Sequence, residues 1–488
     1  MRECEPAEHK ASHNVGSRIS RARQLAANGP GGVTGEEECL VGYQEGQVVE
    51  LTLGDAVHGG WCVARPDGQP VVFVRHGLPG ERVRAQVTDV TSKFARADAV
   101  EVLAAAPDRV TPPCPHARPG GCGGCDWQHA SLPAQRRLKA AVVAQQLRRL
   151  AGVDIEVSCE ALDGPGGSDG SDGRGGSDGR SGSGDGGLGW RTRVQFAVRA
   201  DGVAGLRAHR SHQVIDVGDC LIAHPAIGAL GLTRFRWPSS AVDAVEAIVA
   251  PSSGERAVIV SGTPGDGTVA ALASDAVLTR PRRRGAGPGG QPGVTGLRGR
   301  PYLTQRAADR DWRVSAGGFW QVHPAAADVL SAAVLEALEP RTGDTVLDLY
   351  CGAGLFGGVL AGAAAGIAVV GVESDVAAVR DARHNLPAGA RVHRGDVAAV
   401  LRRGGLPSAR LVVADPPRTG LAREVIDYVS DPAHGAARFA YVSCDPATLG
   451  RDVGLLTGHG WSLAGLRAFD AFPMTHHVEC VATLVRDL

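Results

Sequence analysis

Cys444 stands where an apolar run (Phe439, Tyr441, Val442) gives way to a Ser-Cys-Asp-Pro turn, a place that keeps a thiol reachable. A free cysteine is most often a small buried hydrophobe, but the neighbours of Cys444 argue for a nucleophile. Asp415-Pro416-Pro417-Arg418 follows an apolar run over 411–414, and a lone carboxylate, Glu479, lies near the C-terminus. Together they read as a nucleophile in polar company, although Glu479 by itself reads as a surface carboxylate near a C-terminal strand. Upstream, the apolar run 345–349 leads into Tyr350-Cys351-Gly352-Ala353-Gly354, and the next strand-like run, 368–372, ends in Glu373. A Gly-x-Gly turn followed some 20 residues later by an acid is the pattern that cradles a nucleoside and its ribose. Asp348 on the first strand, and the missing second half of the dinucleotide pattern, favour S-adenosylmethionine over a nicotinamide cofactor. Asp396, closing a third strand, could hold the adenine amine.

A second constellation is Cys114, Cys122 and Cys125, spaced Cys-x7-Cys-x2-Cys with glycines between them. Such spacing lets three thiolates converge on a metal, and a fourth ligand must come from elsewhere. Cys220, after a predicted strand at 213–217, is the choice; Cys159 competes. Spacing alone leaves zinc and iron–sulfur both open. The scattered cysteines Cys4, Cys39, Cys62, Cys159, Cys351 and Cys480 do not form a disulfide framework, and Cys351 and Cys480 read as packing residues.

These residues need elements to position them. The 488 residues suffice for two to four domains, and the 43% hydrophobic content is ordinary for a globular protein. No apolar run is long enough to span a bilayer and the N-terminus lacks a signal h-region, so a cytoplasmic protein without membrane partners is expected, and a monomer. Net charge is −1, but residues 188–320 carry 17 Lys+Arg against 10 Asp+Glu and residues 321–488 carry 14 against 18. A basic middle and an acidic end suit a protein whose earlier part meets phosphates. Residues 1–45 read as a disordered extension and 163–188 as a disordered Gly/Ser insertion; 281–300 reads as a further loop. Short alternating strands at 48–53, 71–74 and 82–87 predict a small β-barrel over 46–105. A helix over 133–150 and strands at 191–198, 203–207 and 257–260 predict a central α+β domain over 106–320. Residues 321–488 alternate strand and helix, the signature of a Rossmann-like α/β domain.

Taken together, these motifs resemble the TrmA/RumA/RlmD-type RNA uracil-C5 methyltransferases. The resemblance runs from about residue 48 to 488, the two Gly-rich segments excepted. It is carried by Gly59-Gly60-Trp61 and Leu78-Pro79-Gly80-Glu81, which resemble a TRAM domain, and by the four cysteines. Phe319-Trp320-Gln321-Val322, Asp348-Leu349-Tyr350-Cys351-Gly352, Asp415-Pro416-Pro417-Arg418, Ser443-Cys444-Asp445-Pro446 and His477-Val478-Glu479 complete it. It implies an OB-like RNA-binding barrel ahead of a class I methyltransferase domain. It also implies a [4Fe–4S] cluster on Cys114, Cys122, Cys125 and Cys220. Gln321, Tyr350, Gly352, Glu373, Asp396 and Asp415 would surround S-adenosylmethionine; Cys444 would be the nucleophile and Glu479 the base. The expected reaction is methylation of uridine C5 in structured RNA, with 23S rRNA favoured over the tRNA T-loop. An RNA-binding iron–sulfur sensor without methyl transfer, and a DNA cytosine-C5 methyltransferase, are the competing readings. Two positions depart from the family. Asp445 stands where Asn is frequent and would raise the thiol's pKa unless directed away; Leu355 replaces a frequently polar residue beside the glycine turn.

Overall fold

Strand alternation in the first part of the chain gives one half-buried sheet. The computed structural model describes residues 42–162, 187–282 and 293–486. Its first six strands are β1 (Val48–Thr52), β2 (Ala56–Val57), β3 (Trp61–Ala64), β4 (Val71–Arg75), β5 (Arg82–Val90) and β6 (Phe94–Ala104), in the order β1-β5-β6-β4-β3-β2. In β5 every second residue from Val83 to Val87 is buried, the period-2 pattern of a sheet with one wet face. The expected barrel is not closed by a ladder, since β1 and β2 remain the sheet's edges. Two single bonds bring the chain after β1 onto β3 instead: Gly54 N–H to the Val63 carbonyl, 2.7 Å, and Val63 N–H to Asp55, 3.0 Å.

Ser131 caps α1 (Leu132–Ala151), accepting the Ala134 N–H, and Gly152 ends the helix at φ 66°. Next come β7 (Cys159–Ala161), β8 (Arg193–Val198), β9 (Ala204–Arg207), β10 (Val214–Ile215), α2 (Pro225–Gly228), β11 (Val242–Ala250), β12 (Glu255–Gly262), α3 (Asp266–Ala271), β13 (Ala276–Arg280) and β14 (Thr295–Arg298). Strands β8 to β14 form a seven-stranded sheet, β10-β9-β8-β11-β12-β13-β14, antiparallel but for β12–β13. The loop expected at 281–300 thus contains a strand, β14, paired with β13. The hairpin β15 (Tyr302–Ala307) and β16 (Arg310–Ser315) follows.

The last part alternates α4 (Ala326–Leu338), β17 (Thr345–Leu349), α5 (Leu355–Ala363), β18 (Ala368–Glu373), α6 (Val376–Asn385), β19 (Arg391–Arg394), α7 (Val397–Arg403), β20 (Leu411–Ala414), α8 (Arg423–Ser430), β21 (Arg438–Ser443), α9 (Pro446–Thr457), β22 (Ser462–Asp470) and β23 (Glu479–Val485). The sheet runs β19-β18-β17-β20-β21-β23-β22-β7, its first five strands parallel. All four residues of β20 are buried, as a strand covered by helices on both faces must be. Two apolar clusters fill those faces, one around Leu349, Val425 and Phe439, the other around Leu330, Phe356 and Val413.

The central segment is tied into this sheet. β7 pairs in parallel with β22, and Lys139 of α1, wholly buried, is ion-paired to Asp470 and donates to the Phe472 carbonyl at 3.0 Å. Helix α1 also packs on α9 at two glycines. A Cβ on Gly450 would lie 2.7 Å from the Gln146 carbonyl oxygen, and one on Gly454 2.8 Å from that of Leu150.

Candidate active site

Five parallel strands end at one edge of the sheet, and each delivers a polar side chain there. Asp396 follows β19, Glu373 ends β18, Asp348 and Tyr350 lie at the end of β17, Asp415 follows β20 and Cys444 follows β21. The strand order reverses between β17 and β20, the topological switch point where open α/β sheets open a ligand crevice.

On one side of that crevice the turn after β17 is wound tightly: Tyr350, Gly352 and Gly354 have φ of 60°, 53° and 87°. Tyr350 holds a left-handed conformation that non-glycine residues rarely adopt, a cost of about 1–3 kcal/mol that the surrounding fold must offset. Gly354 could not carry a side chain without crowding Leu386, 3.1 Å from its notional Cβ. The Glu373 carboxylate accepts the Gly352 N–H at 3.0 Å and the N–H groups of Ser374 and Asp375 at 2.7 and 2.8 Å. Asp348 is buried and accepts the Gly357 N–H at 2.8 Å; burial, helped by the nearby Asp415 and Glu373, pushes its pKa up to about 7. Asp396 caps α7 through the Ala399 N–H at 2.9 Å.

The other side holds the thiol. Strands β21 and β23 are antiparallel with Ser443 opposite Cys480, so one step further along the register sets Cys444 beside Glu479. Glu479 is buried. Burial and the neighbouring Asp415 raise its carboxyl well above the usual range, against the pull of Arg418. Burial likewise raises Asp415. The Cys444 thiol is pushed up to about 12, first by burial, then by Glu479 and Asp415, while Arg418 opposes them. Asp445 is directed away from the sulfur. Its carboxylate accepts the Ala447 and Thr448 N–H groups of α9 at 3.0 and 2.9 Å, and its other oxygen lies 3.4 Å from His58 of the first sheet's β2–β3 loop.

The sequence singled out the motifs containing Arg418 and His477 without giving either residue a role, and it did not single out His476. Arg418 lies 3.2 Å from His477 Nε2; the His477 ring is 4.0 Å from that of His476, whose Nδ1 is 2.6 Å from Asp126. Asp126 also accepts from Arg75 at 3.2 Å. The dipeptide His476-His477, two residues before Glu479, was the available signal.

Gln321 is buried at the seam with the central sheet, lining a small cavity with Thr192, Arg193 and Ser315. The four cysteines Cys114, Cys122, Cys125 and Cys220 line one cavity beneath β8 and β9. Cys159 is in β7, within the other sheet. Gly121 and Gly123 allow the close turns, since a Cβ on either would lie 2.2 Å from the His116 carbonyl or 2.7 Å from the His209 backbone. Backbone N–H groups face the sulfurs, Gly124 on Cys122 and Ile222 and Ala223 on Cys220. Among the described residues, however, no group of three or more His, Cys, Asp or Glu side chains is placed so that it could hold a metal ion. The four cysteines expected to hold an iron–sulfur cluster share the lining of one cavity. No described helix is long and apolar enough to cross a membrane.

A doubly wound sheet with an acid-lined glycine turn at its switch point is the architecture of a nucleoside-binding α/β domain. Comparison with known proteins narrows the class. Residues 43–100 match the TRAM domain family, 323–425 the methyltransferase small domain and 408–487 the tRNA (uracil-5-)-methyltransferase family. An uncharacterised RNA methyltransferase of Streptomyces coelicolor is 49% identical, covering 95% of this chain and 97% of its own. One from Streptomyces avermitilis is 47% identical over 90% and 98%. The chain belongs to the TRAM-containing RNA methyltransferases of the uracil-C5 family. Its fold is shared with the Pyrococcus abyssi tRNA (uracil-54, C5)-methyltransferase solved with S-adenosyl-L-homocysteine, at TM-score 0.64 and 21% identity, covering 89% of this chain and 99% of that one.

Proposed function

We propose that this protein methylates C5 of a specific uridine in structured RNA through a covalent bond between Cys444 and C6. The observation that carries the reading is the register of β21 and β23, which sets a buried carboxylate beside the thiol at the switch-point edge. Uracil C5 is a poor nucleophile. Addition of the Cys444 thiolate to C6 moves the ring's electron pair toward C5 and O4, making C5 an enolate carbon able to take a methyl group. S-adenosylmethionine, when bound, supplies that methyl on a sulfonium. Glu479 then takes the C5 proton, and the electron pair left behind expels the thiolate from C6. Arg418 favours the ionised forms of both Cys444 and Glu479. Asp348, Glu373, Asp396 and the Tyr350–Gly354 turn line the donor side of the crevice. The donor role of Gln321 rests on the family resemblance alone.

A uridine in 23S rRNA is the favoured substrate, on the resemblance of the TRAM-like sheet and cysteine set. A tRNA T-loop uridine is the second reading, favoured by the description of the family matched over 408–487. A [4Fe–4S] cluster on Cys114, Cys122, Cys125 and Cys220 rests on the family resemblance; it is supported by the four residues lining one cavity and by backbone N–H groups directed at the sulfurs of Cys122 and Cys220. The test is to incubate purified protein with labelled donor and rRNA or tRNA and map the modified position. One 5-methyluridine is expected, and Cys444→Ala should abolish it while donor binding persists. Turnover by Cys444→Ala would remove the thiol from its role.

A further inference from the structure

We propose that the open groove along the β9–β10 hairpin binds the phosphodiester backbone of the RNA strand flanking the target base. This rests on the RNA-methylating function proposed above and adds where the strand runs. The groove is about 450 Å³ and is lined by Arg191, Arg207, His209, Arg210 and His212, with no acidic residue among its lining. Among the described residues neither Arg207 nor Arg210 forms an ion pair, although most arginines of the central sheet do. Arg210 is held in place without a carboxylate. Its guanidinium lies 5.7 Å from the ring centre of Trp61, a buried indole that Arg75 and Arg96 also approach, at 5.9 and 6.0 Å. His209 lies against the same indole, ring centres 6.0 Å apart, and its Nε2 is buried without a hydrogen-bond partner. A groove with spare cationic donors and no acid among its lining is built for an anionic ligand.

Its position selects a polymer over a small anion. From Trp61 the β2–β3 loop leads through Gly60, packed on His476, to His58, which faces Asp445 beside Cys444. His477 and Arg418 continue the same line to the thiol. One strand could therefore lie in the groove and present a neighbouring base, extruded from its stack, to Cys444.

The test measures binding separately from turnover. Full-length Cys444→Ala protein is titrated, at several salt concentrations, against a fluorescein-labelled oligouridylate of about 12 nucleotides, a length within the range of one single-strand site. The double change Arg207→Ala/Arg210→Ala should weaken binding by about tenfold or more. The slope of log affinity against log salt should fall by roughly one to two, as loss of two phosphate contacts requires. Arg207→Lys/Arg210→Lys should restore most of the slope, and calorimetric donor binding should be unchanged in both variants. Affinity and slope equal to the parent's would overturn the groove. Failure of the functional reading looks different: wild-type protein would bind RNA through these arginines yet place no methyl group on any uridine.

Discussion

At the scale of single residues, burial raises the carboxyls of Asp348, Asp415 and Glu479 and, with them, the thiol of Cys444, while Arg418 pulls Glu479 and Cys444 back toward their ionised forms. Glu479 is the residue whose role is most sharply testable. Glutamine in its place keeps the shape but cannot take the C5 proton, so Glu479→Gln should accumulate the RNA–protein adduct. A denaturant-resistant, RNase-sensitive gel shift would show it; a variant that turns over normally would move the base elsewhere. Asp348 gives a pH prediction. Its folded pKa, about 7, lies above its ordinary 3.8, so the folded state binds the extra proton. Its contribution to stability is present below about pH 4 and is lost as pH rises toward 7. Buried Asp415 and Glu479 act with the same sign. The donor-free protein should therefore show a melting temperature that falls from about pH 5 to about pH 7.5, and Asp348→Asn should flatten part of the fall. A melting temperature rising over that interval would contradict the burial argument. Asp445 shows why residue type alone misleads here. In the sequence it is an added charge next to the nucleophile; in the fold its charge is taken up by the N-terminus of α9 and by His58.

Elements decide how rigidly the thiol loop is held. Helix α9 begins two residues after Cys444, and α1 lies against it where Gly450 and Gly454, one turn apart, leave no room for a side chain. Gly450→Leu should drive the helices apart, destabilise the protein by about 1–3 kcal/mol, the usual cost of overpacking, and slow methyl transfer. Denaturant unfolding and single-turnover rates would check both; a stability within about 0.5 kcal/mol of the parent would mean that the helices separate freely. The elements were unevenly legible. β20 reads straight from the sequence because a fully buried parallel strand must be an unbroken apolar run. β7 does not. Cys159-Glu160-Ala161 has no pattern of its own and is a strand only because β22 offers it an edge. The alternation that predicted a barrel was sound for β1, β4 and β5, but whether sheet edges meet depends on curvature, which side-chain period does not encode.

For the whole molecule, the central segment is the part that joins the others. Through α1 and β7 it enters the methyltransferase sheet, and its cysteine cavity shares Cys122, Gly124, Arg191 and Leu206 with the basic groove. Removing one thiol tests the proposed metal. Protein purified without oxygen should contain iron and acid-labile sulfide, and Cys122→Ser should lose most of both, as should treatment with a chelator and oxidant. A parent protein holding zinc in place of iron would overturn the cluster, and one holding neither would overturn a metal of any kind.

The sequence by itself determined the parallel strands, the glycine turn with Glu373 downstream, the thiol at a strand end and the close trio Cys114, Cys122 and Cys125, because each is written in local pattern: apolar period, turn chemistry or short spacing. Only the tertiary structure brought Glu479 beside Cys444, carried Cys220, already chosen from the sequence, into one cavity with the trio, and set His58 against Asp445. Those pairings join residues between 35 and 387 positions apart. At such separations contact is fixed by strand register and by how sheets pack, and no local stretch of the chain carries that information.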